Sequence, residues 1–195
     1  MSDSNVIRDV SETLATVLTE GLRTLTPEPT PVAVVHDLQG QIATSPAQLT
    51  LFLFEVLEDP SARNRPHFRE SSSNKVTFRR PPVALILRYL VTPWSGDRQT
   101  DHMILGRTIQ ILYDGSIISG PQLRGTLSNY NEALKVTMMP LTLEERTRVW
   151  QAVQKPYRTS LTYEVRVVNI ESNQSKERPP VKSRTLRPAE PEDVS

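Results

Sequence analysis

The sequence predicts an α+β domain, in which a mixed, mostly antiparallel sheet of about five strands packs against about three helices. Three observations support this fold class. The segment Val83–Val91 is apolar on both of its alternating faces, which is typical of a strand in the middle of a covered sheet. Segments with helical and with strand periodicity follow one another along the chain. Finally, 195 residues suffice for one domain with its own core.

The first predicted elements are a helix and two strands. Apolar residues recur at three- and four-residue spacing in Asn5–Leu22, which predicts an amphipathic helix with Ser4 as its cap. The proline-rich segment TPEPTP, residues 26–31, ends this helix. Val32–His36 is a short strand candidate, and Leu49–Leu57, which is apolar on both faces, is a stronger one.

A second helix is predicted after the central strand. Thr92-Pro93 should end that strand, because proline cannot donate to the ladder. Ser95-Gly96-Asp97 offers capping oxygens for a helix that begins there. Its polar side chains form one narrow stripe of Arg107, Gln110 and Asp114. A helix with so little polar surface should be enclosed by its own fold or by neighbouring subunits.

The remaining predicted elements are a strand, a short helix and a last strand. Leu134–Met138 alternates as a half-buried strand, and Thr142–Glu145 is a capping box that opens a helix ending at Lys155-Pro156. Ser160–Ile170 is the clearest alternating strand. Its inward residues are Leu161, Tyr163, Val165 and Val167, and its outward residues are Thr162, Glu164 and Arg166.

We expect one globular domain over residues 1–171 and a flexible, proline-rich polar tail over residues 172–195. Residues 60–80 form a predicted extended hairpin loop with a polar centre. This loop is strongly basic, with Arg63, Arg65, Arg69, Lys75, Arg79 and Arg80.

The composition offers few groups for catalysis or metal binding. The chain has no cysteine, and its three histidines, His36, His67 and His102, do not lie at metal-ligand spacing. No serine lies in a G-x-S-x-G turn, and neither glycine-rich phosphate-binding motif occurs. Asp97 and Asp101 are best explained as acids that complement a helix N-terminus. We therefore expect a protein that is not an enzyme and that binds no metal or cofactor.

Charge and hydropathy argue against two further classes. The net charge of +1 gives no general attraction to nucleic acid or anionic lipid. No apolar segment approaches the roughly 20 residues that span a bilayer, and the N-terminus lacks a secretion signal, so we expect a cytoplasmic protein without membrane insertion. Two alternatives stay open. One is a soluble enzyme with a dispersed site, and the other is a nucleic-acid-binding module that uses the basic loop and the tail. Trp94, Trp150, Tyr157 and Tyr163 could form a stacking platform for bases or sugars, although such sets are more often core or turn residues.

Three longer patterns, taken together, resemble the terminator or cap family of phage-tail-like contractile injection systems. They are PPVALILRYLVTPWSGD, DHMILGRTIQILYDGSIISG and ALKVTMMPLTLEERTRVWQAVQKPYRTSLTYEVRVVNI, preceded by VIRDVSETL near the start. Their most specific parts are YLVTPW at 89–94, His102 with Leu105-Gly106, and Trp150 followed by Pro156-Tyr157-Arg158. The resemblance covers most of residues 5–171 and leaves the tail outside.

The resemblance implies a structural role and a tail-terminator-like fold. Members of this family form a six-fold ring on the distal end of the particle, where the inner tube and the contractile sheath stop growing. The implied partners are further copies of the chain, the tube protein and the sheath protein, within an assembled particle in the cytoplasm. The family has no catalytic residues or cofactors.

Two interfaces follow as hypotheses. An edge strand can accept an extended sheath segment by backbone hydrogen bonding, and Leu161–Ile170 is the leading edge candidate, with Thr162, Glu164 and Arg166 on its exposed face. The second interface is the basic loop, whose charge suits an acidic rim on the tube, the sheath or a neighbouring subunit. Its contact residues would be Arg63, Arg65, Arg69, Arg79 and Arg80.

Overall fold

The computed structural model describes residues 4–25, 30–62, 68–72, 75–79, 82–129, 133–170 and 175–178. These residues contain three α-helices: α1 Val6–Leu22, α2 Arg98–Asp114 and α3 Leu143–Ala152. The strands are β1 Val32–Val35, β2 Gln48–Glu58, β3 Phe68–Ser72, β4 Lys75–Arg79, β5 Val83–Trp94, β6 Ile117–Ile118, β7 Leu134–Met138, β8 Leu161–Ile170 and β9 Ser175–Arg178.

The main sheet has six strands in the order β1-β2-β5-β8-β7-β6. Only the β1–β2 pair is parallel, and the other pairs are antiparallel. The predicted α+β class with a mixed, mostly antiparallel sheet and three helices is therefore confirmed. The strand count is one higher than predicted, because β6 has only two residues and carries no periodicity that a sequence pattern could reveal.

Strand β5 lies inside the sheet, between β2 and β8, as its two apolar faces predicted. The strand continues through Pro93 to Trp94, so the prediction that Thr92-Pro93 ends it is wrong. Pro93 is tolerated because β8 begins at Leu161, which pairs with Val91, and leaves no strand beside position 93 on that side. On the other side Pro93 pairs with Leu49 of β2. In an antiparallel pair, residues that exchange backbone hydrogen bonds alternate with residues that do not, and a proline is compatible with a position that donates no hydrogen bond.

Helices α1 and α2 pack on one face of the sheet and build the main core. The predicted amphipathic stripe of α1 is buried at Val10, Leu14, Leu18 and Leu22. The N-cap of this helix is Asn5 and not the predicted Ser4. Polar groups tie α1 to the sheet: the Ser11 hydroxyl lies 2.8 Å from the Tyr89 hydroxyl, and Thr19 accepts a hydrogen bond of 3.0 Å from the Ala33 N–H.

The opposite face of the sheet carries α3 and the loop that follows β1. Thr142 and Glu145 form the predicted capping box at the start of α3. The helix ends at Ala152, before the predicted stop at Lys155-Pro156, because Gln154 adopts a left-handed conformation with φ of 56°. The buried cluster on this face is small and consists of Leu38, Leu90, Trp150 and Val153.

A second sheet has three strands in the order β3-β4-β9. Its β3–β4 hairpin agrees with the predicted extension of residues 60–80. Its third strand was not predicted, because Ser175–Arg178 lies in the segment for which we expected little fixed structure. Backbone hydrogen bonding to β4 orders these polar residues, and such pairing needs no apolar pattern.

Candidate interaction surfaces

Strand β8 is not the sheet edge that its alternation suggested. It pairs with β5 along most of its length, and with β7 from Tyr163 to Arg166. The Met139 N–H also donates to the Thr162 carbonyl oxygen at 2.9 Å. The Thr162 residue is only 3% exposed and therefore offers little surface to a partner. The edge prediction is wrong because an interior antiparallel strand with one lightly covered face shows the same alternation as an edge strand.

Glu164 and Arg166 lie on the sheet face opposite α1 and α2, in a chain of ion pairs that crosses three strands. Glu55 on β2 binds Arg88 on β5 at 2.6 Å, and Arg88 lies 3.6 Å from Glu164. Glu164 in turn binds Arg166 at 3.0 Å. Arg166 reaches Asp59, just after β2, at 3.7 Å. Sequence analysis missed this network, because its members come from distant segments that only the strand order brings together.

The real edge of the main sheet on the β2 side is open over part of its length. Strand β1 pairs only with Gln48–Leu51, whereas β2 continues to Glu58. Among the residues that the structure describes, no strand pairs with Phe52–Leu57 on the side away from β5. The pairing with β5 shifts register between Leu53 and Glu55, so Phe54 forms a bulge there. This open stretch is mostly apolar, and Val56 is 44% exposed.

The structure describes part of the predicted basic interface. Arg63, Arg65 and Arg80 lie outside the described residues, whereas Arg69 is on β3 and Arg79 is on β4. Cross-strand neighbours in a sheet share a face. Phe78 pairs with Arg69 and with Lys176, and two residues earlier Val76 pairs with Arg178. One face of this sheet therefore holds three basic positions and no acidic one, and two of the three come from β9.

The opposite face of the three-stranded sheet is balanced in charge. Thr77 pairs with Glu70 on one side and with Glu177 on the other. In the neighbouring cross-strand rows of that face lie Lys75 and Arg79. By register, therefore, Arg69, Lys176 and Arg178 share one face of the sheet.

The corner between β5 and α2 is fixed by Asp97 and Asp101, as predicted. The Asp97 carboxylate accepts a hydrogen bond of 2.8 Å from the Thr100 N–H, and this bond, with one from the Thr100 hydroxyl, lowers the pKa of Asp97. Asp101 accepts from Ser95 and binds Arg158 at 2.6 Å. The Arg158 guanidinium lies 4.3 Å from the centre of the Trp94 ring.

The same corner borders a cavity. An open cavity of about 410 Å³ lies beside it, lined by Gly96, Arg98, His102, Tyr157 and Arg158 among others. No group of three or more histidine, aspartate and glutamate side chains in the described part of the chain could hold a metal ion. Of the four aromatic residues considered as a stacking platform, Trp150 and Tyr163 are 1% and 4% exposed, Trp94 is half-buried and Tyr157 is 42% exposed. Trp150 and Tyr163 pack in the interior, so these two cannot stack on bases or sugars.

The outer face of α2 exposes three large apolar residues among polar and charged ones. The helix buries Ile104, Leu105, Thr108 and Leu112. Its own fold does not enclose the rest, since Met103 is 45% and Tyr113 is 82% exposed. The predicted polar residues Gln110 and Asp114 are exposed, and the half-buried Arg107 donates to the Gln110 side chain at 3.3 Å and, through Nε, to the Gly21 carbonyl oxygen at 3.1 Å. No helix in the described ranges is long and apolar enough to cross a bilayer.

Two solved structures share this fold. The first is the PVC sheath/tube terminator of an extracellular contractile injection system in its extended state, with a TM-score of 0.65 and 17% identity. The second is the anti-feeding prophage cap, described as a tube-terminating cap, with a TM-score of 0.61 and 21% identity. The matches cover 99% and 96% of this chain but 66% and 62% of those chains. The chain thus spans slightly less than two thirds of the length of these relatives.

The family comparison extends the resemblance further along the chain than the sequence patterns suggested. No curated protein matches the sequence. A family model described as the Pvc16 N-terminal domain matches residues 9–184, which includes β9 and passes the expected limit at residue 171. The chain therefore belongs to the Pvc16 N-terminal domain family.

Proposed function

We propose that the chain is the structural cap, or terminator, of a contractile injection system. Six copies form a ring on the distal end of the inner tube and the sheath, end their polymerisation and hold the sheath end to the tube. The observation that carries this proposal is the likeness in fold over nearly the whole chain to two terminators, together with the family match. The particle is assembled in the cytoplasm, and the chain acts there as part of it.

The physical demands of capping agree with the surfaces of this chain. A helical tube presents the same unsatisfied surface at its growing end after every added layer. A cap must match that surface on one side and must not reproduce it on the other. This task needs rigid, shaped faces and no reactive groups. In the described residues the rigid part is the six-stranded sheet with α1 and α2.

The tube and sheath contacts are proposed to use two surfaces. The first is the three-stranded sheet, where by register Arg69 shares a face with Lys176 and Arg178 of β9 and Arg79 lies on the other face. Arg63, Arg65 and Arg80, which lie outside the described residues, are proposed as further contacts. This surface suits an acidic rim. The second is the ion-pair face of β8, where Arg166 is 47% exposed at its side chain and Glu164 lies beside it. Because β8 is interior, an added sheath strand would use the open edge of β2 instead.

The function is tested by measuring particle length. Cells that lack this chain should produce tubes and sheaths with a broad length distribution, and the wild-type chain supplied in trans should restore one length. Electron micrographs of purified particles give both distributions. Particles of one defined length from cells without the chain would contradict the proposal.

The basic face is tested by charge reversal. The triple variant Arg69→Glu, Lys176→Glu and Arg178→Glu should broaden the length distribution as deletion does, because like charges would then meet across the interface. Reversing Arg98, Arg148 and Lys155, which are basic residues on the main domain away from β3, β4 and β9, is the matched control. Equal effects of the two triple variants would contradict a specific role of the basic face in capping.

A further inference from the structure

A small pocket lies where the chain leaves β7, passes through α3 and returns into β8. It is lined by residues 138–141, by residues 160–162 at the start of β8, and by Arg146 on α3. Its volume is about 330 Å³, which is at the lower end of the range for ligand pockets. Two methionines, two leucines and a proline form most of its wall, and Arg146 is the one charged residue among the described residues that line it.

Arg146 is the feature of this pocket that the fold itself does not explain. Four arginine side chains in the described ranges are half-buried. Three of them have a hydrogen-bond acceptor within 3.1 Å, namely Arg88, Arg107 and Arg158. Arg146 makes no hydrogen bond or ion pair with a described residue, although its Nε is buried. A guanidinium in this position costs free energy unless an acceptor from elsewhere completes it.

The acidic residues beside Arg146 on α3 are already engaged. The Glu144 carboxylate binds Arg148 at 2.7 Å. The Glu145 carboxylate accepts a hydrogen bond of 2.8 Å from the Thr142 N–H in the capping box. The missing acceptor therefore comes from another molecule. A carboxylate suits the site best, because it matches the charge and the planar donor fork of a guanidinium.

Strand β7 leaves one backbone position free beside the pocket. The Val136 N–H donates to the Ser116 carbonyl oxygen at 2.8 Å, on the side of β6. Because backbone groups along a strand alternate in direction, the N–H and C=O of Met138 point to the same side. There β6 pairs no further than Lys135, so no described strand reaches Met138. Pro140, the next residue in the alternation, has no N–H to donate.

From these observations we infer that the pocket binds the carboxyl-terminal residue of a partner chain, when that residue has an apolar side chain. The side chain fills the cavity, the terminal carboxylate binds Arg146, and the partner backbone pairs with Met138. A chain end fits better than a passing strand, because only one backbone position is free. On a terminal residue, moreover, the carboxylate and the apolar side chain share one Cα, as so small a pocket requires. The site is independent of the proposed cap role.

Methyl-labelled methionine reports binding to this pocket directly. The chain has four methionines, of which Met138 and Met139 line the pocket, whereas Met103 lies on α2. The peptide acetyl-Thr-Val-Leu with a free carboxylate should shift the NMR signals of Met138 and Met139 at millimolar concentration and leave that of Met103 unchanged. Its carboxamide should bind at least about tenfold more weakly, because it carries no charge. Equal affinities, or no shift with the free acid, would overturn the inference.

Two further probes test that the ligand is a chain end. The peptide acetyl-Thr-Val-Leu-Glu-Thr-amide keeps a carboxylate but places it on an internal side chain, and it should bind no better than the carboxamide. N-acetyl-leucine keeps the terminal residue but lacks the residues that would pair with Met138, so it should bind more weakly than the free tripeptide. An internal carboxylate as effective as the terminal one, or N-acetyl-leucine as tight as the tripeptide, would contradict a partner chain end.

Two arginine variants separate binding from folding. Arg146→Gln should abolish the preference for acid over amide, yet leave the melting temperature of the purified chain unchanged or raise it, because an unpaired buried charge does not stabilise a fold. Arg148→Gln is the matched control on the same helix, since Arg148 is exposed and paired with Glu144, and it should keep the preference. A preference that survives Arg146→Gln, or a marked fall in its melting temperature, would overturn the inference. Neither readout depends on whether the chain caps a particle.

Discussion

The two faces of the six-stranded sheet are covered to different depths. On one face α1 and α2 bury a continuous cluster that includes Leu14, Leu18, Leu87 and Tyr89. On the other face α3 and one loop bury only four residues of a second cluster. Where α3 does not cover it, that face carries an ion-pair network of Glu55, Arg88, Glu164, Arg166 and Asp59.

The deeply covered face stabilises the fold, whereas the lightly covered face stays available for contact with a partner. The α1–α2 face also holds buried polar groups in fixed geometry, such as the Asp9 carboxylate, which is fully buried and accepts from the Thr126 N–H at 2.8 Å. A face of this kind resists deformation, because among the described residues its buried side-chain nitrogen and oxygen atoms have hydrogen-bond partners. The other face leaves charged side chains at the surface, where a partner can reach them. A cap needs both, since a soft domain could not hold the end of a tube in one geometry.

The largest expected effect compares two leucines that are both fully buried. Leu18→Ala removes a side chain from the main core and should lower the free energy of unfolding by about 3–5 kcal/mol. Leu38→Ala, on the thinner face, should cost only about 2–3 kcal/mol, because the loop that carries it can relax into the space. Urea denaturation of both variants measures the difference. Equal costs would mean that the two faces contribute alike.

The next effect concerns Asp9, which joins α1 to the turn Gly125–Asn129. Burial raises its pKa, but hydrogen bonds from Thr126 and the ion pair with Arg8 outweigh burial and lower it overall. Because the folded pKa lies below the unfolded one, the carboxylate stabilises the fold above about pH 4 and loses this contribution as the pH falls through the folded value.

Asp9→Asn should therefore cost about 2 kcal/mol at neutral pH, and its difference from the wild type should shrink in acid. Unfolding titrations at several pH values check both points. Asp97→Asn is a matched control, since Asp97 also has a lowered pKa but is exposed at the helix N-terminus. A cost for Asp9→Asn that does not change with pH would contradict the assigned charge.

A smaller effect at neutral pH is expected at the Tyr89 hydroxyl, which lies 2.8 Å from the Ser11 hydroxyl between sheet and helix. Burial raises its pKa from 10.0 to about 12. Below pH 10 both states keep the proton, and above it the unfolded state loses the proton first. The fold should thus lose up to about 2–3 kcal/mol as the pH rises toward 12.

Tyr89→Phe should cost about 1 kcal/mol at neutral pH and abolish the part of the alkaline loss that Tyr89 causes. Tyr163→Phe provides the comparison, because the pKa of Tyr163 is also raised by burial. If Tyr89→Phe leaves the alkaline unfolding curve unchanged, the hydroxyl is not the responsible group.

The smallest effect is expected on the open face. Glu164→Gln removes the charge that links Arg88 to Arg166, yet it should change the free energy of unfolding by less than about 1 kcal/mol, because partly exposed ion pairs contribute little. The same variant should disturb capping if this face meets the sheath. Denaturation and particle length, measured on one variant, separate the two roles. A large loss of stability would mean that the ion-pair network contributes substantially to the free energy of unfolding.

Local patterns predicted the elements that depend on local chemistry. The α1 stripe, the doubly apolar β5 and the capping box Thr142–Glu145 each follow from spacing within one segment. The interior position of β8 does not follow from its own pattern. It depends on pairing with β7, and the sequence of β8 alone does not show which strands pair with it. In the same way, the formation of strand β9 depends on its pairing with β4.

The make-up of the candidate surfaces could be read only in part from the sequence. The basic composition of residues 60–80 pointed to Arg69 and Arg79, but the register that joins Lys176 and Arg178 to Arg69 is visible only in the fold. The sequence likewise indicated that α2 is unusually apolar, and the structure identifies which of these residues the fold leaves uncovered. Periodicity in the sequence shows that a face is apolar, but only the packed structure shows whether other parts of the chain cover that face.

The most direct test of the cap is a reconstruction of the distal particle end by electron cryo-microscopy, with and without this chain. The account predicts a ring of domains with the six-stranded sheet fold seated on the last tube layer, and a bare, continuing tube when the chain is missing. Identical particle ends in the two samples would contradict it.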